Sequence, residues 1–440
     1  MDEQTLPVAE SLAAVERSCA VTVGAGPVTE TSNPRRVDRL TSLGQRVLFW
    51  VRRYLPAALE RYGTPLLLLE PDRIRTQYRR LTDALPFVEF FYAVKALAHP
   101  VVIDTLAEAG CGFDVASIDE IDHVRARGVP TSAMIFTHPV KKPSEIAAAQ
   151  GRGMSLFVAD NPIELRKIAA TCPGASVLIR LAYRNPEAKS DLSTKFGAAT
   201  EDARELTLLA IHLGLDVLGF SFHAGSQSDN PAPLVTAVER TLDVMDSLES
   251  TIPIRFEMLD IGGGFPVAYD RPVAGIEQIA AAVRPLLRDR ADELRIIAEP
   301  GRVLVAESMT LITSVVGAAQ RAGRPWVYLD DGVYGAYSNV VAEDVHPLVI
   351  PVRGIAAGAA RGERTTVAGP TCDSADVITT DALLPELAVG ELVASPAMGA
   401  YTLVTATTFN GRGLPHVEVI DEHGSTEPVL AGPDFAISDA

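Results

Sequence analysis

Cysteine is scarce and scattered. Only Cys19, Cys111, Cys172 and Cys372 occur in 440 residues; they form no CxxC pair, which argues against a disulfide framework and a structural zinc site, and no metal is expected. Positive charge is also in deficit: 39 Lys and Arg face 56 Asp and Glu, a formal net charge of -17. With the acids spread along the chain, neither nucleic acid nor an anionic membrane surface is an expected partner. No apolar stretch approaches the roughly 18 residues that span a bilayer. The N-terminus, opening with Asp2 and Glu3, lacks the basic and then apolar regions of a secretion signal. There is no P-loop, and "GAGPVTE" near the N-terminus follows no βαβ unit, so nucleotide binding has little support. Together these absences predict a soluble cytoplasmic protein in a reducing compartment.

What is present is an ordinary globular composition, 47% hydrophobic and 22% charged, enough for two or three domains. Residues 1–35, rich in Thr, Ser, Glu and Gly, have no clear period and read as a poorly ordered leader. A helical pattern with Leu40, Leu43, Val47 and Phe49 runs from Val37 to about Tyr62, and the apolar "TPLLLLE" follows. Then eight strand-like runs alternate with helical stretches and Gly or Pro punctuation: "VEFFYAVK", "GFDVAS", "AMIFTH", "SLFVAD", "SVLIRLAY", "VLGFSFH", "FEMLDIGGG" and "LRIIAEPGR". Ser144 is the expected cap of "PSEIAAA", and Asn161 caps a helix that begins with Pro162.

This beat predicts a (β/α)8 barrel, with a doubly wound open sheet as the alternative. The strand ends favour the barrel. Lys95, Asp114, His138, Asp160, Arg180, His223, Gly262 to Gly264, Glu299 and Arg302 all fall at C-terminal ends, which a barrel gathers into one mouth. Beyond Arg302 come short strand candidates without long helices. The predicted organisation is a leader (1–35), a helix and strand associated with a β domain (36–70), a barrel (71–309) and a C-terminal all-β domain (310–440).

Lys95, in "FFYAVKALAHP", ends an apolar run between Val94 and Ala96. A buried ammonium is costly, so such a lysine is a candidate amine nucleophile; a lone strand-end lysine is more often one that snorkels to water. Three glycines directly after a strand in "LDIGGGFP" let backbone N–H groups approach an anion such as phosphate, although a glycine run alone is often only a turn. In "AEPGR", Gly301 permits close approach and Arg302 supplies a planar donor suited to phosphate. His223 in "SFHAGSQ" suits a ligand, an acid–base group or a flat platform; taken singly, a structural histidine is the default. "GPTCDSAD" puts Cys372 and Asp373 in a Gly-Pro loop, where chemistry competes with a spare packed cysteine.

Taken together, "YAVKA", "GFDVAS", "FHAGSQ", "DIGGGFP", "AEPGR", "DDGVYG", "GPTCDSAD" and "GAYTLVTATTFNG" resemble the fold-type III pyridoxal-phosphate decarboxylases over about residues 64–412. The ornithine/lysine branch is the best match. The resemblance implies an alanine racemase-like barrel binding pyridoxal 5'-phosphate and decarboxylation of a basic amino acid to a diamine for polyamine biosynthesis. It also implies a homodimer with shared active sites. By position, Lys95 becomes the Schiff-base lysine. Gly262, Gly263, Gly264, Arg302 and Tyr401 hold the phosphate, with Gly301 beside them and Ser226 adding a hydroxyl. His223 stacks on the ring, Asp114 and Arg180 support the site, and Glu299 pairs with the pyridine nitrogen. Related racemases place an arginine opposite that nitrogen, so Glu299 favours decarboxylation. Cys372 matches the residue that returns a proton, and Asp373, Tyr334 and Phe409 match substrate contacts. Lys195 and Asp376 match a pair joining two subunits.

The loop around Cys372 separates two branches, and two other positions depart from the family pattern. "CDSAD" differs from the "CESGD" of diaminopimelate decarboxylases, favouring the diamine-forming branch. In "GVYGAYSNVVAEDVHP" the expected distal-amine aspartate, after tyrosine, is replaced by Glu343 after Ala342, with Asp344 one residue on, which leaves open a modified diamino acid as substrate. His138 stands where relatives often carry asparagine. A catalytically inactive regulatory homologue is the remaining alternative, and retention of Lys95, Cys372, Asp373, Glu299 and Arg302 argues against it.

Overall fold

The computed structural model describes residues 54–352 and 362–420, except positions 187 and 229. The expected leader, the start of the helix after Val37, Cys19 and the last twenty residues lie outside the described residues. The chain divides into two compact units, one of residues 71–267 and 273–305, the other holding the described residues up to Glu70, 268–272 and those from Ala306 onward.

The described chain starts with a helix over Leu55–Tyr62, and β1 (Leu66–Leu69) follows it. In the larger unit eight parallel strands close on themselves: β2 (Val88–Ala93), β3 (Gly112–Val115), β4 (Met134–Phe136), β5 (Leu156–Ala159), β6 (Ser176–Leu181), β7 (Asp216–Phe222), β8 (Met258–Asp260) and β9 (Arg295–Ala298). They are the eight runs expected from the sequence, and the closed barrel displaces the open-sheet alternative. The closing pair is β2 with β9, in register Phe90↔Ala298. Because crossover helices cover the outside and side chains fill the inside, the strands are almost wholly apolar. Phe91, Ile135, Val158, Leu178, Met258 and Ile297 form one buried cluster contributed by six of them.

The helices between strands begin where polar caps permit. Ser117 accepts the Glu120 N–H at 3.2 Å, and Asn161, followed by Pro162, accepts that of Glu164 at 3.0 Å. The expected cap Ser144 is corrected: the helix spans Pro143–Gly151 with Lys142 as its N-cap. Proline lacks an N–H and fits the first helical position, which moves the cap one residue ahead of it. Glu145 then accepts the Lys142 N–H at 2.8 Å.

The smaller unit is built on a mixed eight-stranded sheet. Its long β10 (Met309–Arg321) pairs antiparallel with β1, with β11 (Arg324–Leu329) and with β15 (Leu392–Pro396). The order β12 (Ile350–Pro351), β15, β10, β11, β13 (Glu363–Ala368), β14 (Val377–Leu384) makes the main path, and β16 (His416–Val419) lies parallel to β1. Thr379, Thr380, Asp381 and Ala382 leave β14 little apolar character, and its pairing with β13 defines it.

Candidate active site

Lys95 sits in a 3-10 turn, Val94–Ala96, directly after β2. The turn is fixed by the Tyr92 hydroxyl, which donates to the Leu97 carbonyl at 3.0 Å. Gly301 packs against it, since a Cβ there would lie 3.1 Å from that of Ala96. The Lys95 side chain is 46% exposed, so it reaches into the mouth rather than the core. Its Nζ lies 3.3 Å from Oδ2 of buried Asp114 on β3, whose other oxygen accepts the Thr137 hydroxyl at 2.6 Å.

Two buried carboxyls come from the strands on the other flank of β2, Glu299 just past β9, which pairs with β2, and Asp260 at the end of β8, which pairs with β9. Burial pushes both above the ordinary carboxylate range. Asp260 moves furthest, since the charge of Glu299 adds to its burial; Lys95, a hydrogen bond with Asp260 and Arg180 oppose the rise of Glu299. Glu120, at the head of its helix, is held near 6 by burial, against the hydrogen bond its carboxylate takes from the Ala116 N–H at 2.7 Å.

The three glycines follow Asp260. Gly262 and Gly264 take φ of +67° and +91°, open to glycine at little cost. Space is equally restrictive: a Cβ would come within 2.2 Å of the Phe222 carbonyl oxygen at Gly262, 2.4 Å of that of Glu299 at Gly263 and 2.1 Å of that of Gly225 at Gly264. His223 borders the same loop. Its Nδ1 accepts the Gly225 N–H at 3.1 Å, leaving Nε2 to carry the proton. Burial, then Arg180 and Lys95, bring its pKa down to about 3, so the ring is a neutral plate. Ser226, half-buried, exchanges backbone hydrogen bonds with Ser190. Arg180, on β6, lies over the Phe196 ring at 5.4 Å, as does Lys195 at 4.8 Å, and His138 meets that ring edge-on at 5.7 Å. Arg302, buried, opens a short helix, Arg302–Val305.

Within the smaller unit a second cluster forms on the β13–β14 turn. Cys372 is exposed, and its N–H donates to Asn410 at 3.1 Å. The Tyr334 hydroxyl donates to the Asp373 carboxylate, and Tyr334 and Phe409 lie with ring centroids 4.5 Å apart. The N–H of Ala375 and then Tyr334 hold Asp373 below its ordinary range. Asp376 is buried and accepts from Val333 N–H at 2.9 Å, Thr371 N–H at 3.0 Å and the Thr371 hydroxyl at 2.7 Å. Glu343 closes the turn Asn339–Ala342 and is half-buried; Asp344 is exposed at φ +49°, 3.6 Å from His346. Tyr401, half-buried in the same unit, also takes a positive φ, +54°.

The barrel thus gathers Lys95, Asp114, Arg180, His223, Glu299 and the glycine loop. Sequence reasoning passed over Asp260, Thr137, Glu120 and Phe196, although Asp260 sits inside the "LDIGGGFP" motif. An amine, a flat neutral ring, buried acids and a cradle that any Cβ would fill suit a phosphorylated aromatic aldehyde. Among the described residues no cluster could hold a metal ion, and no helix is long and apolar enough to cross a membrane.

Residues 71–306 match the model of the pyridoxal-dependent decarboxylase pyridoxal-binding domain. The chain belongs to the fold-type III pyridoxal-dependent decarboxylases, in the ornithine/lysine family. A lysine/ornithine decarboxylase of Selenomonas ruminantium is 37% identical over 357 residues, 80% of this chain and 88% of that protein. The ornithine decarboxylase of Caenorhabditis elegans is 35% identical over 376 residues, 81% and 87% of the two chains. A crystal structure of a lysine/ornithine decarboxylase from Vibrio vulnificus complexed with putrescine superposes with a TM-score of 0.77 at 39% identity, covering 83% of this chain and 97% of that one. As a member of this decarboxylase family, the protein is an enzyme whose cofactor is pyridoxal phosphate.

Proposed function

We propose that this decarboxylase converts a basic L-amino acid, ornithine or lysine, to its diamine, as a cytoplasmic homodimer. Lys95 carries the cofactor through its amine, with Asp114 fixing the Nζ that the mouth exposes. Glu299 would pair with the pyridine nitrogen, His223 would offer its flat neutral face to the ring, and Arg180 would support it. Gly262 to Gly264, Gly301, Arg302 and Ser226 would hold the phosphate through N–H, guanidinium and hydroxyl donors. When bound, pyridoxal phosphate supplies the electron sink for the charge left at Cα as CO2 departs. A neutral His223 suits this, since an imidazolium beside a cationic ring would oppose binding.

The observation that carries the proposal is the Lys95–Asp114 pair in one mouth with Glu299 and the glycine loop. Cys372 returns the proton and Asp373 binds the distal amine, steered by Tyr334 and Phe409. The loop bearing them completes the mouth of a second copy, with Lys195 and Asp376 joining the subunits. Lys95→Ala should abolish the visible absorbance of the bound cofactor and cut kcat by about 10³-fold or more. CO2 release measured over a panel of ornithine, lysine, arginine and diaminopimelate should be confined to the first two. Activity on none of them would overturn the substrate assignment and favour a modified diamino acid. That second reading rests on Glu343, whose longer acid shortens the room for a substrate tail, beside exposed Asp344.

A further inference from the structure

The two carboxyls of the barrel mouth do not play equal parts. Asp260 is 1% exposed. Its Oδ1 accepts the Gly262 N–H at 2.8 Å. Its Oδ2 is fully buried and meets no N–H or hydroxyl donor among the described residues, and the Glu299 carboxyl lies within hydrogen-bonding reach of the Asp260 side chain. Two buried carboxyls in contact cannot both ionise without a cation between them, so the pair keeps one proton.

The surroundings decide where that proton resides. Asp114 from β3 bears a like charge on both acids, whereas Lys95 beyond β2 and Arg180 from β6 act on Glu299. The cations therefore favour a carboxylate at Glu299, and the proton falls to Asp260. The backbone couples the two sites as well. Gly262 accepts the Glu299 N–H at 2.8 Å, so Gly262 is held at its N–H by Asp260 and at its carbonyl by Glu299.

We infer that Asp260 is a neutral, proton-bearing positioning residue: its Oδ2–H donates to the Glu299 carboxylate while its Oδ1 anchors the first glycine of the phosphate loop. This rests on the reading that Glu299 faces the pyridine nitrogen. Asp260 touches no reacting atom. It keeps Glu299 ionised without water and ties its position to that of the loop, so the ring nitrogen and the phosphate are presented to one rigid frame.

Infrared difference spectra of the holoenzyme at neutral pH test this directly. A protonated-carboxyl band should be present in the wild type, vanish in Asp260→Asn and persist in Glu299→Gln. A wild type without the band, or a band that survives Asp260→Asn, overturns the inference. Asparagine retains an N–H donor and an acceptor, so Asp260→Asn should keep cofactor affinity within about threefold, whereas Asp260→Leu, which has neither, should lose about tenfold or more. Equal loss in both variants, or none in Asp260→Leu, also overturns it. If Asp260→Leu does not fold, the band and the asparagine variant still decide. Glu299→Gln separates the underlying reading: an unchanged cofactor spectrum there removes Glu299 from the ring nitrogen, while the infrared band still reports which acid holds the proton.

Discussion

Gly264 shows how tightly the cradle constrains single residues. At φ +91° its missing Cβ would sit 2.1 Å from the Gly225 carbonyl oxygen, so an added methyl must move backbone, not a side chain. Gly264→Ala should cost on the order of 3 kcal/mol in chemical denaturation. It should also weaken cofactor binding, read as slower regain of absorbance on adding pyridoxal phosphate to apoprotein. Gly153, with φ +91° as well, meets only the Thr131 hydroxyl at 3.3 Å. An alanine there carries the backbone strain without the carbonyl clash and leaves the mouth untouched, so cofactor binding should be unchanged.

At the scale of elements, a buried ion pair joins the loop after β4 to the helix Pro162–Thr171 that follows β5. Lys141, with its side chain 0% exposed, lies 3.1 Å from Glu164, which is 2% exposed. Its Nζ also donates to the carbonyls of His138 and Val158, both at 2.8 Å. Burial, outweighing the pull of Glu164, lowers its pKa from 10.5 to about 8. The folded lysine therefore binds its proton less tightly than the unfolded one. Relative to Lys141→Met, wild-type stability should rise as pH climbs from about 8 to 10.5. Lys141→Ala should cost about 2–4 kcal/mol, because it leaves a cavity and takes away one of the two ammonium partners of buried Glu164, which keeps Lys167 at 2.5 Å, and Lys141→Met with Glu164→Leu should recover most of it; thermal unfolding of the three variants across pH checks both. None of this was legible in the sequence. The barrel was, because each strand and helix writes its own period within about ten residues, and the mouth residues follow from strand ends. The Asp260–Glu299 contact joins residues far apart in sequence, and neither acid names its partner. The cap at Lys142 was missed because serine's preference for caps outweighed proline's preference for the first helical position.

For the whole molecule, the proposed division of labour makes a statistical prediction. Lys95→Ala disables the barrel side of a mouth and Asp373→Ala the loop side. If each mouth draws on two copies, mixing the two inactive proteins after dissociation should restore roughly a quarter of wild-type activity, since half the dimers are mixed and each has one intact mouth. No recovery, with mixed dimers seen by mass spectrometry, would put both sides of a mouth in the same chain.

The closure of the barrel by β2 and β9 has a consequence for the life of the nascent chain. Lys95 follows the first strand of the ring, and Glu299 follows the last, with Phe90 paired to Ala298 at the seam. Until β9 has emerged and docked there is no frame to grip the cofactor, only an amine on an open edge. Cofactor capture should thus be a late checkpoint of biogenesis. A chain released before Arg295 should leave the ribosome colourless however much pyridoxal phosphate surrounds it, and the full chain should gain colour only once the seam resists hydrogen exchange.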